Sequence, residues 1–311
     1  MSLIRSTAPP LEVIVVSDGD VSGSYRAAAE FGFTVLQLAQ TGGPARARNF
    51  GARAARGEVL MFLDADVELH EDALFEVGRS FAADAALDAV FGSYDDAPGA
   101  DNFLSQYRNL LHHYTHQTSR EEASTFWSGC GAIRRDVFLK MGGFDEKYRR
   151  PSIEDIELGY RLTRAGHRVR INKKVQGKHL KEWRAASVLH TDFAMRAVPW
   201  TELILRDRRF INDLNLQHHG RASVVLAYLA LSCVAVMPWQ PPLGIVAAGC
   251  VLCVLALNAA QLSFFVQKRG VWFALRVVPW LLLFQLYSGL GFIVGTLRHL
   301  SRPRPDAEQV R

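Results

Sequence analysis

The spacing of hydrophobic positions changes along the chain and divides it in two. Up to Arg221, short apolar runs alternate with mixed segments. Leu11–Val16 (LEVIVV) is rich in Val and Ile and ends in Ser17-Asp18-Gly19-Asp20, which predicts a buried strand followed by a turn. Ser24–Phe31 predicts a short helix, Thr34–Leu38 a second strand, and the Ala- and Arg-rich Pro44–Arg56 a helix closed by Gly57. Val59–Leu63 (VLMFL) predicts a third buried strand that ends at Asp64. Asp72–Ala82 then predicts a helix, Ala89–Gly92 a strand and Asn102–Thr118 a longer helix. Ile153–Ala165 predicts another helix, stopped by Gly166, and a strand leads up to His179. Strand–helix alternation of this kind implies an α/β layer fold with a mostly parallel central sheet. Ligands of such sheets sit beyond the carboxyl ends of the strands. Asp18 and Asp64 both stand at such ends.

The second part is different. From Ala222 to Val266 there is no Asp, Glu, Lys or Arg. A membrane-crossing helix needs about 20 apolar residues, and 222–239, 243–266 and 277–297 are each long enough to be candidates. Before them, Ser187–Leu214 mixes aromatic, apolar and Arg residues, the pattern of a helix lying on a membrane surface. The reading is therefore a catalytic domain over 1–190, an interfacial segment over 191–220, transmembrane helices within 221–300 and a basic tail over 301–311. Pro238–Pro242 is an uncharged turn, as expected away from the cytoplasm, whereas Gln267-Lys268-Arg269-Gly270 is a basic, cytoplasmic type of loop. The third segment stays open. If it crosses, Arg298, Arg302 and Arg304 lie outside; if it is re-entrant or interfacial, the positive-inside rule holds.

Composition adds less. The 311 residues are 49% hydrophobic and 22% charged with a net charge of +5, which excludes a collagen, a disordered tail or a disulfide mini-protein. Basic residues cluster at Lys173, Lys174, Lys178, Lys181 and Arg184, and at Arg206, Arg208 and Arg209. Ahead of hydrophobic spans such clusters suit anionic lipid rather than nucleic acid. Three of the four cysteines (Cys233, Cys250, Cys253) lie in the apolar tail, where cysteine acts as a small hydrophobe. No disulfide framework is implied, and Met1–Pro10 has no apolar leader core. The expected location is the inner, cytoplasmic membrane, multi-pass, with the catalytic domain in the cytoplasm.

The strongest local chemistry is Asp64-Ala65-Asp66. A buried strand delivers two carboxylates at i and i+2, and hard oxygen ligands at that spacing suit Mg²⁺ or Mn²⁺. An ion there would neutralise a diphosphate leaving group. Glu154-Asp155 opens a helix, where acidic residues also suit the helix dipole. An attacking hydroxyl needs a proton acceptor within reach, which one of them would supply. His112, His113 and His116 share a helix, but with no evident further ligand they read as a polar or membrane-facing surface.

Three ordered blocks resemble bacterial family 2 glycosyltransferases. They are Val13–Asp20 (VIVVSDGD); Gly43–Asp66, with Ala47-Arg48-Asn49-x-Gly51 leading to Phe62–Asp66; and Gly129–Leu162, with Gly142–Glu146 and then Glu154-Asp155-Ile156-Glu157-Leu158. The resemblance covers roughly residues 11 to 190. It implies a GT-A fold, a nucleotide-sugar donor (UDP- or GDP-sugar) and inversion at the anomeric carbon. By resemblance, Asp18, with Asp20, would meet the nucleobase or ribose. Arg48 would hold the nucleotide and Asp64 would face ribose and diphosphate. Asp66 would ligate the metal, with Asp64 beside it and His179 as a third ligand. Asp155, in the pair with Glu154, would be the general base. Trp127 and Cys130 would line the acceptor side, with packing an equal alternative. Trp183 would stack on a sugar or anchor at the interface. Its surroundings match the QxxRW motif of processive synthases poorly. The resemblance also implies a further strand upstream of Val13 that this sequence lacks, which predicts lower stability than a version extended upstream. The membrane tail suggests a lipid-linked or envelope-glycan acceptor. The competing readings are a non-catalytic membrane scaffold and a nucleotidyltransferase, the latter without its Gly-rich phosphate loop.

Overall fold

The computed structural model describes residues 2–19, 23, 25–210, 214 and 217–301. The chain divides into two compact units. One comprises residues 2–185 with Phe264–Phe273, and the other comprises the membrane-type helices and the segment that leads into them.

In the first unit, β1 (Ile14–Asp18), α1 (Tyr25–Glu30), β2 (Thr34–Leu38) and α2 (Pro44–Ala54) come first. They are followed by β3 (Val59–Leu63), β4 (Val67–Leu69), α3 (Ala73–Ala83), β5 (Leu87–Tyr94) and α4 (Phe103–Thr118). Then come β6 (Cys130–Arg134), α5 (Arg135–Lys140), α6 (Glu154–Arg164) and β7 (Arg168–His179). The predicted helices recur within a residue or two. The short β4, the strand β6 and the helix α5 lacked a clear periodic signal. β1 begins three residues later than the apolar run that predicts it.

The sheet is mixed rather than mostly parallel. β1 and β2 form a parallel pair of their own, and the other five strands run in the order β3–β6–β5–β7–β4. In the larger sheet only β5–β7 is parallel; β3–β6, β5–β6 and β4–β7 are antiparallel. Alternation predicts parallel crossovers, but the chain from β5 through α4 and the loop 119–129 returns β6 antiparallel to β5. Among the described residues β1 and β3 are not hydrogen-bonded neighbours.

Aromatic packing fixes the sheet against its helices. Phe62 on β3 lies 5.1 Å from both Phe138 and Phe144 and meets Phe126 edge-on at 6.4 Å. Phe91 on β5 meets Phe126 in the same manner at 6.2 Å. Such edge-to-face pairs add to the burial itself. Glycine at 159 lets α6 approach closely, since a Cβ there would collide with the backbone of Thr125 and Phe126. This approach sets where the α6 N-terminus points.

The register brings four loop ends together. Leu63 is opposite Cys130, and the Asp64 N–H donates to Gly129 O at 3.2 Å. Val67 is opposite His179, and the Leu180 N–H donates to Asp66 O at 2.8 Å.

In the second unit, α7 (Ala185–His190), a π-helical turn (Thr191–Ala197) and α8 (Val198–Asp207) cover much of the stretch 187–214. α9 (His218–Val236) and α10 (Leu243–Leu257) follow, then α11 (Ala259–Arg269) and α12 (Val271–Ser301). α9 and α12 are long and apolar enough to cross a membrane. The segment read as one span over 243–266 is broken. α10 and α11 meet at Asn258 with a 64° bend, and only together do they reach spanning length. Asn258 caps α10 and donates to Ser223 Oγ at 3.0 Å, a polar anchor inside an otherwise apolar run.

Truncating Phe62 to Ala removes the ring shared by three aromatic contacts. The expected loss of unfolding free energy for the domain is about 3–5 kcal/mol, measurable by denaturant titration.

Candidate active site

Arg48, on the first turns of α2, lies between two acidic elements. Its Nη2 donates to Asp64 Oδ1 at 2.7 Å and its Nη1 to Glu154 Oε1 at 2.8 Å. The other Glu154 oxygen accepts from the Ser152 N–H at 2.9 Å. Glu154 is only 4% exposed. Arg48 also lies over the Phe144 ring at 5.6 Å. Burial acts to lower the guanidinium pKa, but Asp64, Glu154 and Asp155 outweigh it and the net direction is upward. One cation thus joins the β3 end to the α6 N-terminus.

Asp155 is next along α6. Its Oδ1 accepts from the Ile156 N–H at 2.8 Å. Its Oδ2 accepts from the Ser128 N–H at 3.2 Å and the Ser128 hydroxyl at 3.4 Å. Burial, with Glu154 alongside, pushes its carboxyl up to about 6, against the opposing pull of Arg48 and the two N–H donors. A carboxylate with that pKa is ionised at neutral pH yet still basic, which suits proton abstraction.

The two carboxylates of Asp64-Ala65-Asp66 do not lean to one side. Asp64 closes β3 and turns to Arg48, whereas Asp66 lies in the turn into β4 and faces His179, Oδ2 to Nε2 3.6 Å. The neighbouring His179 and Lys181 hold the Asp66 carboxyl below its usual range, against burial. Strand alternation fails here because the strand has ended. Asp64, Asp66 and His179 therefore do not form one ligand set. Among the described residues no cluster of three or more His, Cys, Asp or Glu is placed to hold an ion. Asp66 and His179 do fit an ion that takes its remaining ligands from a diphosphate, since magnesium is bound by one or two carboxylates plus substrate phosphates.

Asp18 has another use. Its two oxygens accept from the Gly42 and Gly43 N–H groups, each at 2.8 Å, and so tie the β1 end to the loop before α2. Asp20 lies outside the described residues. Cys130 does not line an acceptor surface. It is fully buried on β6, and burial pushes its thiol up to about 12. Trp183 is likewise buried, its ring covered by Lys181 Nζ at 4.3 Å and Arg108 at 5.5 Å, so it presents no face to a sugar or to lipid. Trp127 is half-buried in a ring cluster with Tyr94 at 4.9 Å and His112 at 4.6 Å. His113 and His116 are not a surface. Both are buried, with Nδ1 at 2.7 Å from Tyr94 O and 2.9 Å from Gly92 O.

Three contributors had no role in the sequence reading. Tyr94 stacks on His179 with 4.2 Å between centroids and 10° between planes, and so orients it. Ser128 holds Asp155. Asn49 pins the Gly143–Glu146 loop to α2, donating to Phe144 O at 2.9 Å and accepting from the Phe144 N–H at 2.9 Å. Asn49 sits inside the quoted Arg48-Asn49 block, which was its signal. Tyr94 and Ser128 had none.

The comparisons with known proteins cover the same residues. Residues 1–142 match the family model described as Glycosyl transferase family 2, and residues 108–183 match that described as N-terminal domain of galactosyltransferase. A pre-mycofactocin glycosyltransferase of Mycobacterium tuberculosis (strain H37Rv) is 29% identical over 196 residues, 58% of this chain and 41% of the relative. The probable glycosyltransferase YdaM of Bacillus subtilis (strain 168) is 26% identical over 174 residues, 51% of this chain and 41% of the relative. The chain thus spans 41% of the length of these curated relatives. Among solved structures, the mannosyltransferase PcManGT of Pyrobaculum calidifontis, in complex with GDP-Man and Mn²⁺, is 16% identical. Its TM-score is 0.49, over 96% of this chain and 81% of that one. Residues 1–349 of S. aureus TarS give 16% identity and a TM-score of 0.48 over 97% and 87%.

Arg48→Ala leaves the buried Glu154 charge uncompensated. The expected cost is about 3–5 kcal/mol, read as a lowered Tm. Arg48 also holds the Asp155 pKa down, so the acid limb of any pH–rate profile should move to higher pH in this variant.

Proposed function

We propose that the chain, whose residues 1–142 match the glycosyl transferase family 2 model, is a membrane-anchored inverting transferase. It would move a sugar from a UDP- or GDP-sugar to a lipid-linked or envelope-glycan acceptor at the cytoplasmic face of the inner membrane. The observation that carries the reading is the Arg48 bridge from Asp64 to Glu154, with Asp155 next to it. It gathers donor-facing groups and a candidate base on one network.

In the proposed reaction, Asp155 accepts the proton of the acceptor hydroxyl. The oxygen attacks the anomeric carbon from the face opposite the leaving group. The bond between that carbon and the diphosphate oxygen breaks, and the nucleoside diphosphate departs with the electron pair. Arg48 and Asp64 position the nucleotide and its diphosphate. Asp66 and His179 are the residues that would hold Mn²⁺ or Mg²⁺, which when bound neutralises diphosphate charge. Trp127 faces the acceptor side from the ring cluster.

The test is nucleoside diphosphate release from a sugar-nucleotide panel, with membranes carrying the chain. Release from one donor is expected, dependent on Mn²⁺ or Mg²⁺ and lost in Asp66→Ala. Asp155→Asn should lower transfer by about 10²–10⁴-fold, the usual weight of a general base. No release from any donor would overturn the reading in favour of a scaffold.

Transfer should also follow the protonation of Asp155. Below its pKa of about 6 the base is protonated, so the rate should fall tenfold per pH unit. Above about 6 it should level off. Burial that raises a carboxyl pKa costs stability once the group ionises, so stability should decline as pH rises towards about 6.

A further inference from the structure

Phe264–Phe273 belongs to the first unit, although it stands far along the chain from the rest of it. Three aromatic side chains seat this segment on α4. Phe265 is fully buried and lies 5.8 Å from Tyr107. Phe264 lies 5.2 Å from Tyr114, and Phe273 lies 5.0 Å from Phe103. The segment carries two cations, Lys268 and Arg269, in the last turn of α11.

Both cations turn to the loop that joins β5 to α4. Lys268 Nζ donates to Asp96 Oδ2 at 2.7 Å and holds that carboxyl below its usual range. Arg269 Nη2 donates to Asp96 O at 2.6 Å, and its Nε donates to Gln106 Oε1 at 2.9 Å. The other end of the Gln106 amide donates to Ala100 O at 2.8 Å. One guanidinium thus reaches both the start of the loop and, through Gln106, its far end. Within the loop, Pro98 has no N–H to donate and Gly99 no side chain to pack. The path of the loop is therefore set largely by partners outside it.

The inner side of the same loop touches the candidate ion site. The Gly99 N–H donates to His179 O at 2.8 Å. A Cβ at 99 would lie 3.2 Å from Leu180 Cα, so glycine leaves room for this approach. The next N–H, that of Leu180, donates to Asp66 O at 2.8 Å. Where the loop leaves β5, Tyr94 stacks on the His179 ring at 4.2 Å. The segment 94–99 thus holds His179 by its ring at one end and by its backbone at the other.

Folding energy does not account for the two cations. Both are exposed, and an exposed ion pair contributes about 0–1 kcal/mol. An ion site asks for more: its ligands must be held to within about 0.5 Å.

We propose that Lys268 and Arg269 are positioning residues for the ion site. Through the 95–100 loop they set the Gly99 N–H against the His179 carbonyl, and so fix where the His179 ring stands beside Asp66. The proposal rests on the transferase reading of Asp66 and His179.

The test uses the full chain in detergent and Lys268→Ala combined with Arg269→Ala. Mn²⁺ is titrated in the presence of UDP or GDP, and free Mn²⁺ is read by electron paramagnetic resonance against the nucleotide alone. Hydrogen exchange is followed in parallel at Gly99 and Leu180, with Ile156 on α6 as the comparison. The double variant should bind Mn²⁺ about tenfold more weakly, the lower end of what losing an outer partner of a ligating histidine costs. Its Gly99 and Leu180 amides should exchange about tenfold faster while that of Ile156 is unchanged. Lys268→Ala and Asp96→Ala should each weaken Mn²⁺ binding, and together no more than either alone, because they break one contact. Equal Mn²⁺ affinity in parent and double variant overturns the proposal, as does unchanged exchange at Gly99 and Leu180. Faster exchange at Ile156 as well would mark general destabilisation and overturns it too. A parent chain that binds no Mn²⁺ with either nucleotide overturns the transferase reading itself, and the proposal with it.

Discussion

One guanidinium organises the candidate site. Arg48 reaches Asp64 and Glu154 at 2.7 and 2.8 Å, from a helix that belongs to neither element. Like charges at Asp64, Glu154 and Asp155 repel one another, and without a cation between them the β3 end and the α6 N-terminus would be driven apart. A planar, permanently charged fork can satisfy two carboxylates at once, which an ammonium does less well. The bridge also sets the electrostatics of Asp155. Burial raises that carboxyl, Arg48 restrains the rise, and the outcome is a group poised about one unit below neutral pH.

Rigid packing makes the bridge possible. Phe62, Phe126, Phe138 and Phe144 form one aromatic cluster beneath it. Asn49, one residue after Arg48, holds the loop at Phe144 by two hydrogen bonds. The glycine at 159 admits α6 against the Thr125–Phe126 backbone. On the other side Tyr94 stacks on His179, which faces Asp66. Two small networks thus meet at the turn that follows β3, one built on Arg48 and one on His179. Asp64 belongs to the first and Asp66 to the second.

The membrane-type unit repeats the theme of polar groups as locators. Asn258 breaks an apolar run and bonds Ser223, and Tyr287 bonds Asp192. In an apolar surrounding each such pair specifies one helix register, because the unpaired alternative leaves a polar group unsatisfied. Length and hydropathy describe what a helix is able to do. The polar pairs say where it lies.

Local sequence determined a great deal. Helices α2, α3, α4 and α6 and strands β2 and β3 follow from periodicity and stop signals, because these depend on residues a few positions apart. The carboxylates at strand ends and the charge-free tail were legible for the same reason. Strand direction in β6, the parting of Asp64 from Asp66, and the burial of Cys130, His116 and Trp183 were decided only in three dimensions. Each depends on a partner far along the chain: Gly129 for Asp64, His179 for Asp66, Gly92 for His116, Ser105 for Trp183. A one-dimensional pattern records which residues are apolar or charged, whereas packing and charge pairing select among the neighbours that folding supplies.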